Sequence, residues 1–268
     1  MDEKHISKLI SNLGTDIIRN ILHYLDDTAA IIYFTIVRRY CKNIIPPNYT
    51  LVIRSGSLIN RVFSLTNLRR LHLFNNHNIL CIDRLINLTT LTVTQDETIP
   101  INVVKKIGKL TQLQKLTLSR LPFEESLQYL SNLTNLTHLN IIDARFLCGN
   151  ELSHLVKLVN LTSLCVPHIE LDVFNLNIFP HLTELDLSCC YIRPRVLAGI
   201  SYQTTLTRLT LDNTIHLSNL DFITPLIRLN YLSLIGTNIK DKDLSALVNL
   251  SLTTLDLTNC TSLTKDSL

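Results

Sequence analysis

The sequence predicts an α/β fold, an open solenoid with a curved parallel sheet on its concave face, preceded by a short helical segment. Three observations predict it. The spacing Leu-x-x-Leu-x-Leu, with occasional Val or Ile, occurs nine times after residue 50, beginning at Leu68, Leu88, Leu113, Leu136, Leu161, Leu182, Leu206, Leu229 and Leu252. The intervals are 20, 25, 23, 25, 21, 24, 23 and 23, a mean of 23. Leucine supplies 53 of the 268 residues, yet residues 1–50 hold ten Ile and only four Leu. Between the two regimes stands Pro46-Pro47, which cannot continue a helix and pushes Ile45 into an extended state. The boundary therefore falls between a helical segment, 1–46, and a repeat region, 47–268.

Each repeat justifies one strand and one return. The last two apolar positions, such as Leu71 and Leu73, alternate with polar ones, so a short strand buries one face and exposes the other. The remaining residues must bring the chain back within one coil. Leu127, Leu130 and Leu133, and again Leu244, Leu247 and Leu250, are predicted to line the inner side of that return. Leu51-Val-Ile53 fits as a degenerate opening strand. One coil cannot hide its own leucines, so neighbouring coils stack into a solenoid. The phrase resembles the leucine-rich repeat. The later copies, with Cys190-Tyr-Ile192 and Cys260-Thr-Ser-Leu263-Thr-Lys-Asp266, resemble its cysteine-containing subtype, in which Cys190 and Cys260 are buried small apolar residues.

Composition excludes several function classes. The six glycines are never closer than 37 residues, so no Gly-rich phosphate loop or dinucleotide fingerprint can be built. The longest apolar run, Ala29 to Val37, is far short of the about 20 residues a membrane helix needs. The net charge is +3 and scattered, which argues against nucleic acid as a partner. Seven cysteines without a Cys-x-x-Cys pair give neither a tidy disulfide framework nor a zinc spacing. No secretory start is visible, so the expected compartment is the cytoplasm, or a host's cytoplasm for a virus or intracellular pathogen. Seven Asn-x-Ser/Thr sequons read as a by-product of the recurring Asn-Leu-Thr phrase rather than as glycosylation sites.

The first segment carries its own pattern. Thr15 reads as an N-cap and Asp16 as a first-turn acid. Ile17, Ile18, Ile21, Leu22 and Leu25 then make one helix stripe. Asp26-Asp27-Thr28 re-caps a second helix from Ala29 towards Arg39. With Leu13-Gly-Thr-Asp16, Tyr24-Leu-Asp26, Ile31 and Val37-Arg-Arg-Tyr40, residues 11–45 resemble an F-box, although Gly14 and Tyr40 replace its usual proline and tryptophan. That resemblance, joined to the repeats, implies a substrate receptor of a Skp–cullin–F-box ubiquitin ligase. Leu13, Ile17, Ile18, Ile21, Leu22, Leu25 and Ile31 would then include the contacts to the Skp-type adaptor. The other reading of the same residues is a cap on the open N-terminal end of the solenoid.

Strand alternation also selects a binding face. The polar positions flanking the buried pair place Arg70, His72, Phe74, Lys115, His138, Asn140, Glu184, Asp186, Arg208, Asp212, Tyr231 and Asp256 towards the concavity, with Ser119 and Ser233 at equivalent positions. Basic or neutral groups occupy the first repeats and acids the last. A ligand of complementary charge pattern would be steered to such a face. Nothing points to catalysis, a cofactor or a metal, because the histidines never pair at ligand spacing. The expected function is protein–protein interaction, either as the ubiquitin-ligase receptor or as an internalin-like binding module, which Asn-Leu-Thr and Ile223-Thr-Pro225-Leu226 resemble. Only eleven residues follow the last predicted strand, so its end is expected to be uncapped, frayed or self-associating.

Overall fold

The computed structural model describes residues 49–54, 62–75, 79–122, 126–143, 145, 147–172, 175–214, 217 and 219–264. The predicted F-box-like helices, their adaptor residues and the Pro46-Pro47 boundary lie outside the described residues.

Strand formation follows the repeat. The strands are β1 (Thr50–Ile53), β2 (Arg70–Phe74), β3 (Thr90–Thr94), β4 (Lys115–Ser119), β5 (His138–Ile142), β6 (Ser163–Cys165), β7 (Glu170–Leu171), β8 (Glu184–Asp186), β9 (Tyr191–Ile192), β10 (Arg208–Thr210), β11 (Tyr231–Ser233) and β12 (Thr254–Asp256). Ten form one sheet, in the order β1-β2-β3-β4-β5-β6-β8-β10-β11-β12. Every pairing is parallel, and one leucine per coil stays in register from Leu51 through Leu71, Leu91, Leu116, Leu139, Leu164, Leu185, Leu209 and Leu232 to Leu255. All nine predicted strands and the degenerate opening strand are present. They shorten to three residues from β6 onward, so the second apolar position (Val166, Leu187, Leu211, Leu234, Leu257) falls just past the strand.

Side chains around the strand tie coil to coil. Thr89, Thr137, Thr162, Thr183, Thr207 and Thr253, just before their strands, each donate a hydroxyl to a carbonyl of the preceding coil at 2.9–3.1 Å. The side-chain amides of Asn87, Asn135 and Asn160 donate to Thr66 O, Thr111 O and Thr134 O at 2.8–2.9 Å. In the recurring Asn-Leu-Thr phrase the asparagine satisfies a loop carbonyl of the preceding coil, and the threonine adds a hydroxyl to a carbonyl that already accepts backbone amides.

After the strand the chain turns at one fixed place. Asn75, Arg120, Asp143, His168, Cys189, Asn213, Gly236 and Asn259, each two residues past the last apolar position, take positive φ of 46–65°. The amides of Asn75, Arg120, His168, Cys189, Asn213 and Gly236 donate to the next coil at 2.6–3.0 Å, which carries the ladder past the strands.

Returns are irregular. Among the described residues two return helices are given in full, α1 (Ile101–Ile107) and α2 (Pro194–Ile200), each started by a proline, Pro100 as N-cap and Pro194 within the first turn. Others are 3-10 turns such as Ser126–Leu130 and Asp241–Leu247. Gly108 closes α1, and a Cβ there would lie 1.9 Å from Tyr129 O of the next coil. Leu127, Leu130 and Leu133 are fully buried as predicted, whereas Leu244, Leu247 and Leu250, in the last coil, are only half-buried. A side sheet of β7 and β9 was not anticipated. No helix among the described residues is long and apolar enough to cross a membrane.

Candidate protein-interaction face

The register fixes which side chains share the solvent face of the sheet. In the first column, Arg70 precedes Thr90, Lys115, His138, Ser163, Glu184, Arg208, Tyr231 and Thr254. In the second, His72 precedes Thr92, Thr117, Asn140, Cys165, Asp186, Thr210, Ser233 and Asp256. Phe74 and Ile142 stand in a third column at the strand ends. All twelve residues assigned to this face by sequence therefore lie on it or, for Asp212, just beyond β10. Lys115, Glu184 and Arg208 are exposed, and the other nine are half-buried.

Two of the serines depart from expectation. Ser119 and Ser233 are 5% and 1% exposed, so neither presents a hydroxyl to solvent. Ser119 Oγ accepts the Gln95 amide at 2.7 Å and donates to Gln95 O at 3.1 Å. Ser233 Oγ donates to Asp212 Oδ1 at 2.5 Å. A small hydroxyl can turn into the sheet and bond its neighbours, which alternation alone does not reveal.

The electrostatics are divided along the solenoid. Among the described face residues of β2 to β6 there are Arg70, His72, Lys115 and His138 and no carboxylate. From β8 onward stand Glu184, Asp186, Asp212 and Asp256 against Arg208. Burial lowers the pKa of His72. Burial and then the Lys115 charge lower that of His138, with Glu184 acting in the opposite sense. Both imidazoles are held towards the neutral form, so Arg70 and Lys115 carry the positive half at neutral pH.

Three of the four acids also have structural work. Asp186 Oδ1 accepts the amide and hydroxyl of Ser188 at 2.9 and 2.6 Å. Asp256 does the same with Thr258 at 3.0 and 2.6 Å, which holds its carboxyl below the usual range. Asp212 reaches the next coil, accepting the Ile235 amide at 3.0 Å as well as Ser233. Arg208 lies over the Tyr231 ring. One feature escaped sequence reasoning. The side-chain oxygen of Asn140 is buried without a partner among the described residues, at the middle of the face between Thr117 and Cys165. No sequence signal marks it.

The two cysteines of the repeat pattern, Cys190 and Cys260, are buried as expected. Cys190 is fully buried, its thiol directed at Val166 O at 3.3 Å, and burial pushes its pKa up to about 12. Cys260 is 7% exposed and donates to Leu234 O at 3.0 Å. Thr214 fills the same place in another coil, donating to Leu187 O at 3.4 Å. Among the described residues no cluster of His, Cys, Asp or Glu could hold a metal ion.

No protein-family profile and no curated protein matches the chain by sequence. Solved structures do. Internalin C2 of Listeria monocytogenes is 22% identical with a TM-score of 0.51, over 66% of this chain and 74% of its own. A plant peptide hormone receptor, RGFR1 in complex with RGF2, is 20% identical with a TM-score of 0.52, over 78% of this chain but only 34% of its own. The fold is a leucine-rich-repeat solenoid. In such a solenoid the continuous sheet is the concave surface, so Arg70 through Asp256 line the concavity of the leucine-rich-repeat domain.

Proposed function

We propose that the chain is a protein-binding module that takes its ligand on the concave face, with no link to ubiquitin required. The observation that carries this reading is the unbroken solvent face of a ten-stranded sheet, positive at β2–β5 and negative from β8 onward. Charge separated over that distance gives orientation and a faster encounter with a partner of opposite pattern. Phe74, Ile142 and Tyr231 add apolar area, and aromatic anchors commonly dominate binding energy. The plant receptor of the same fold, solved in complex with RGF2, supports a polypeptide as the ligand class. The test is capture of partners by the whole chain and by two charge-reversed variants, Arg70→Glu with Lys115→Glu, and Glu184→Lys. Loss of the same partner in both variants supports the reading. Full retention in both rules out the face.

A second reading rests on residues 11–45, whose pattern resembles an F-box. In it Leu13, Ile17, Ile18, Ile21, Leu22, Leu25 and Ile31 engage a Skp-type adaptor, the concave face selects the ubiquitin-ligase substrate, and the chain works in the cytoplasm. Pull-down with purified Skp adaptor tests it. Capture that disappears on Ile21→Asp with Leu25→Asp supports the receptor. Absence of capture leaves the internalin-like binding module, with the helices acting as a cap.

A further inference from the structure

The solenoid repeats one arrangement at two places, four coils apart. Leu113 and Leu206 open the repeats that follow α1 and α2, and Leu136 and Leu229 open the repeats after those. Counted from these leucines, Leu197, Ala198 and Ser201 at α2 stand where α1 has Val104, Lys105 and Gly108. In the next coil Asp221 and Phe222 stand where Gln128 and Tyr129 do.

The arrangement at α1 is closed. Gly108 lets the main chain of Tyr129 come nearer than any Cβ there would allow. The Lys105 ammonium lies over the aromatic ring, 4.8 Å from its centre, a favourable place for a cation. The arrangement at α2 is open. Ser201 carries the Cβ that Gly108 lacks, so the next coil cannot settle as closely, and Ala198 is too short to cover Phe222. A groove of about 380 Å³ remains between α2 and the 3-10 turn Asp221–Ile223, lined in part by Pro194, Leu197, Ala198, Asp221, Phe222 and Pro225. Leu197 and Phe222, 6% and 8% exposed, make its apolar floor. Asp221 is the one charged residue lining it. Its carbonyl accepts the Thr224 amide and hydroxyl, while its carboxylate is exposed and bonds to no other described residue. Ser201 Oγ donates to Ala198 O at 2.6 Å and keeps its lone pairs for an incoming donor.

An apolar floor with an aromatic ring and one unpaired acid suits an alkyl chain that ends in a cation. We propose that this groove binds a lysine side chain of a partner polypeptide, in the place that Lys105 fills from within the chain at α1. The alkyl stem packs on Pro194, Leu197 and Pro225, as lysine stems do on apolar surface. The ammonium reaches the Phe222 ring, and its three donors are shared between the Asp221 carboxylate and Ser201 Oγ. The site lies on the return side, so it is independent of the concave face, and its failure would leave that reading untouched.

The test is an NMR titration of the whole chain with acetyl-glycyl-lysyl-glycinamide, read at the amides of Ser201 and Phe222. Expected are saturable shifts, with affinity about fivefold or more weaker when norleucine, which keeps the stem and lacks the charge, replaces the lysine. Asp221→Asn should weaken the lysine peptide by about two- to fivefold. Ala198→Lys, at an exposed helix position, restores the residue found at α1 and should abolish the shifts by filling the groove. Absence of saturable shifts, equal affinity for the lysine and norleucine peptides, or unchanged binding in Ala198→Lys would overturn the proposal. Binding of n-butylamine as tightly as the lysine peptide would also overturn it, since the site would then take a small amine and gain nothing from a polypeptide.

Discussion

The guanidinium carbon of Arg208 lies 3.8 Å from the centre of the Tyr231 ring, and the two residues are direct partners in the β10–β11 register. The next residue in register on the other side is Glu184. The arginine is therefore stacked on the ring of its register neighbour on the concave face. Cation–π contacts of this exposure contribute about 0.5–1 kcal/mol. Tyr231→Ala should lower stability by about that amount in urea unfolding, and should cost far more in capture of a concave-face partner, since a fixed aromatic–arginine pair is a typical anchor.

Asp212 and Glu184 provide a contrast within the acidic half. Asp212 accepts two hydrogen bonds from the next coil, whereas the exposed Glu184 faces solvent. Asp212→Ala should cost about 1–3 kcal/mol by stranding Ser233 and the Ile235 amide. Glu184→Ala should change stability by less than about 0.5 kcal/mol. Equal unfolding midpoints for the two variants would contradict the assignment of Asp212 to the scaffold.

Acid should loosen the solenoid partly through Asp143. Its carboxylate accepts from Arg145 Nε at 2.5 Å and from Arg120 Nε at 3.2 Å. The Arg145 hydrogen bond is the main cause of its lowered pKa. A carboxyl lowered in the folded state is stabilising above its unfolded value, near about 4, and that contribution fades as pH falls through the folded value. Denaturation midpoints measured from pH 6 down to about pH 2 should show a loss that is smaller in Asp143→Asn. The effect is below about 1 kcal/mol, because both arginines are largely in water.

The histidines give the opposite half its pH response. Folded His72 and His138 are lowered from the ordinary 6.5. Above that value both folded and unfolded forms are neutral and no stability is at stake. Below it the unfolded chain takes up the proton first, so stability falls as pH drops towards the folded values. His138→Gln should flatten the unfolding midpoint across about pH 7 to pH 5.

Much of this arrangement was legible in the sequence because leucine has one job per coil. The spacing located all nine strands, the alternation chose the face, and the Leu127-Leu130-Leu133 lining followed from the need to close a turn. The rest depends on contacts between coils that no local pattern encodes. Ser119 looks like a surface hydroxyl until Gln95 of the preceding coil is placed beside it. The positive φ of Arg120 and Cys189 has no marker, since neither is the Gly or Asn such a turn favours.

The central claim is that ligand is held on the concave sheet face. A photo-crosslinking side chain placed at His72, His138 or Thr210 on that face, and separately at exposed Val156 or Val159 on the return side, tests it most directly. Expected are adducts with one partner from the three face positions and none from the two return positions. Adducts from Val156 or Val159 alone would place the binding surface on the other side of the solenoid.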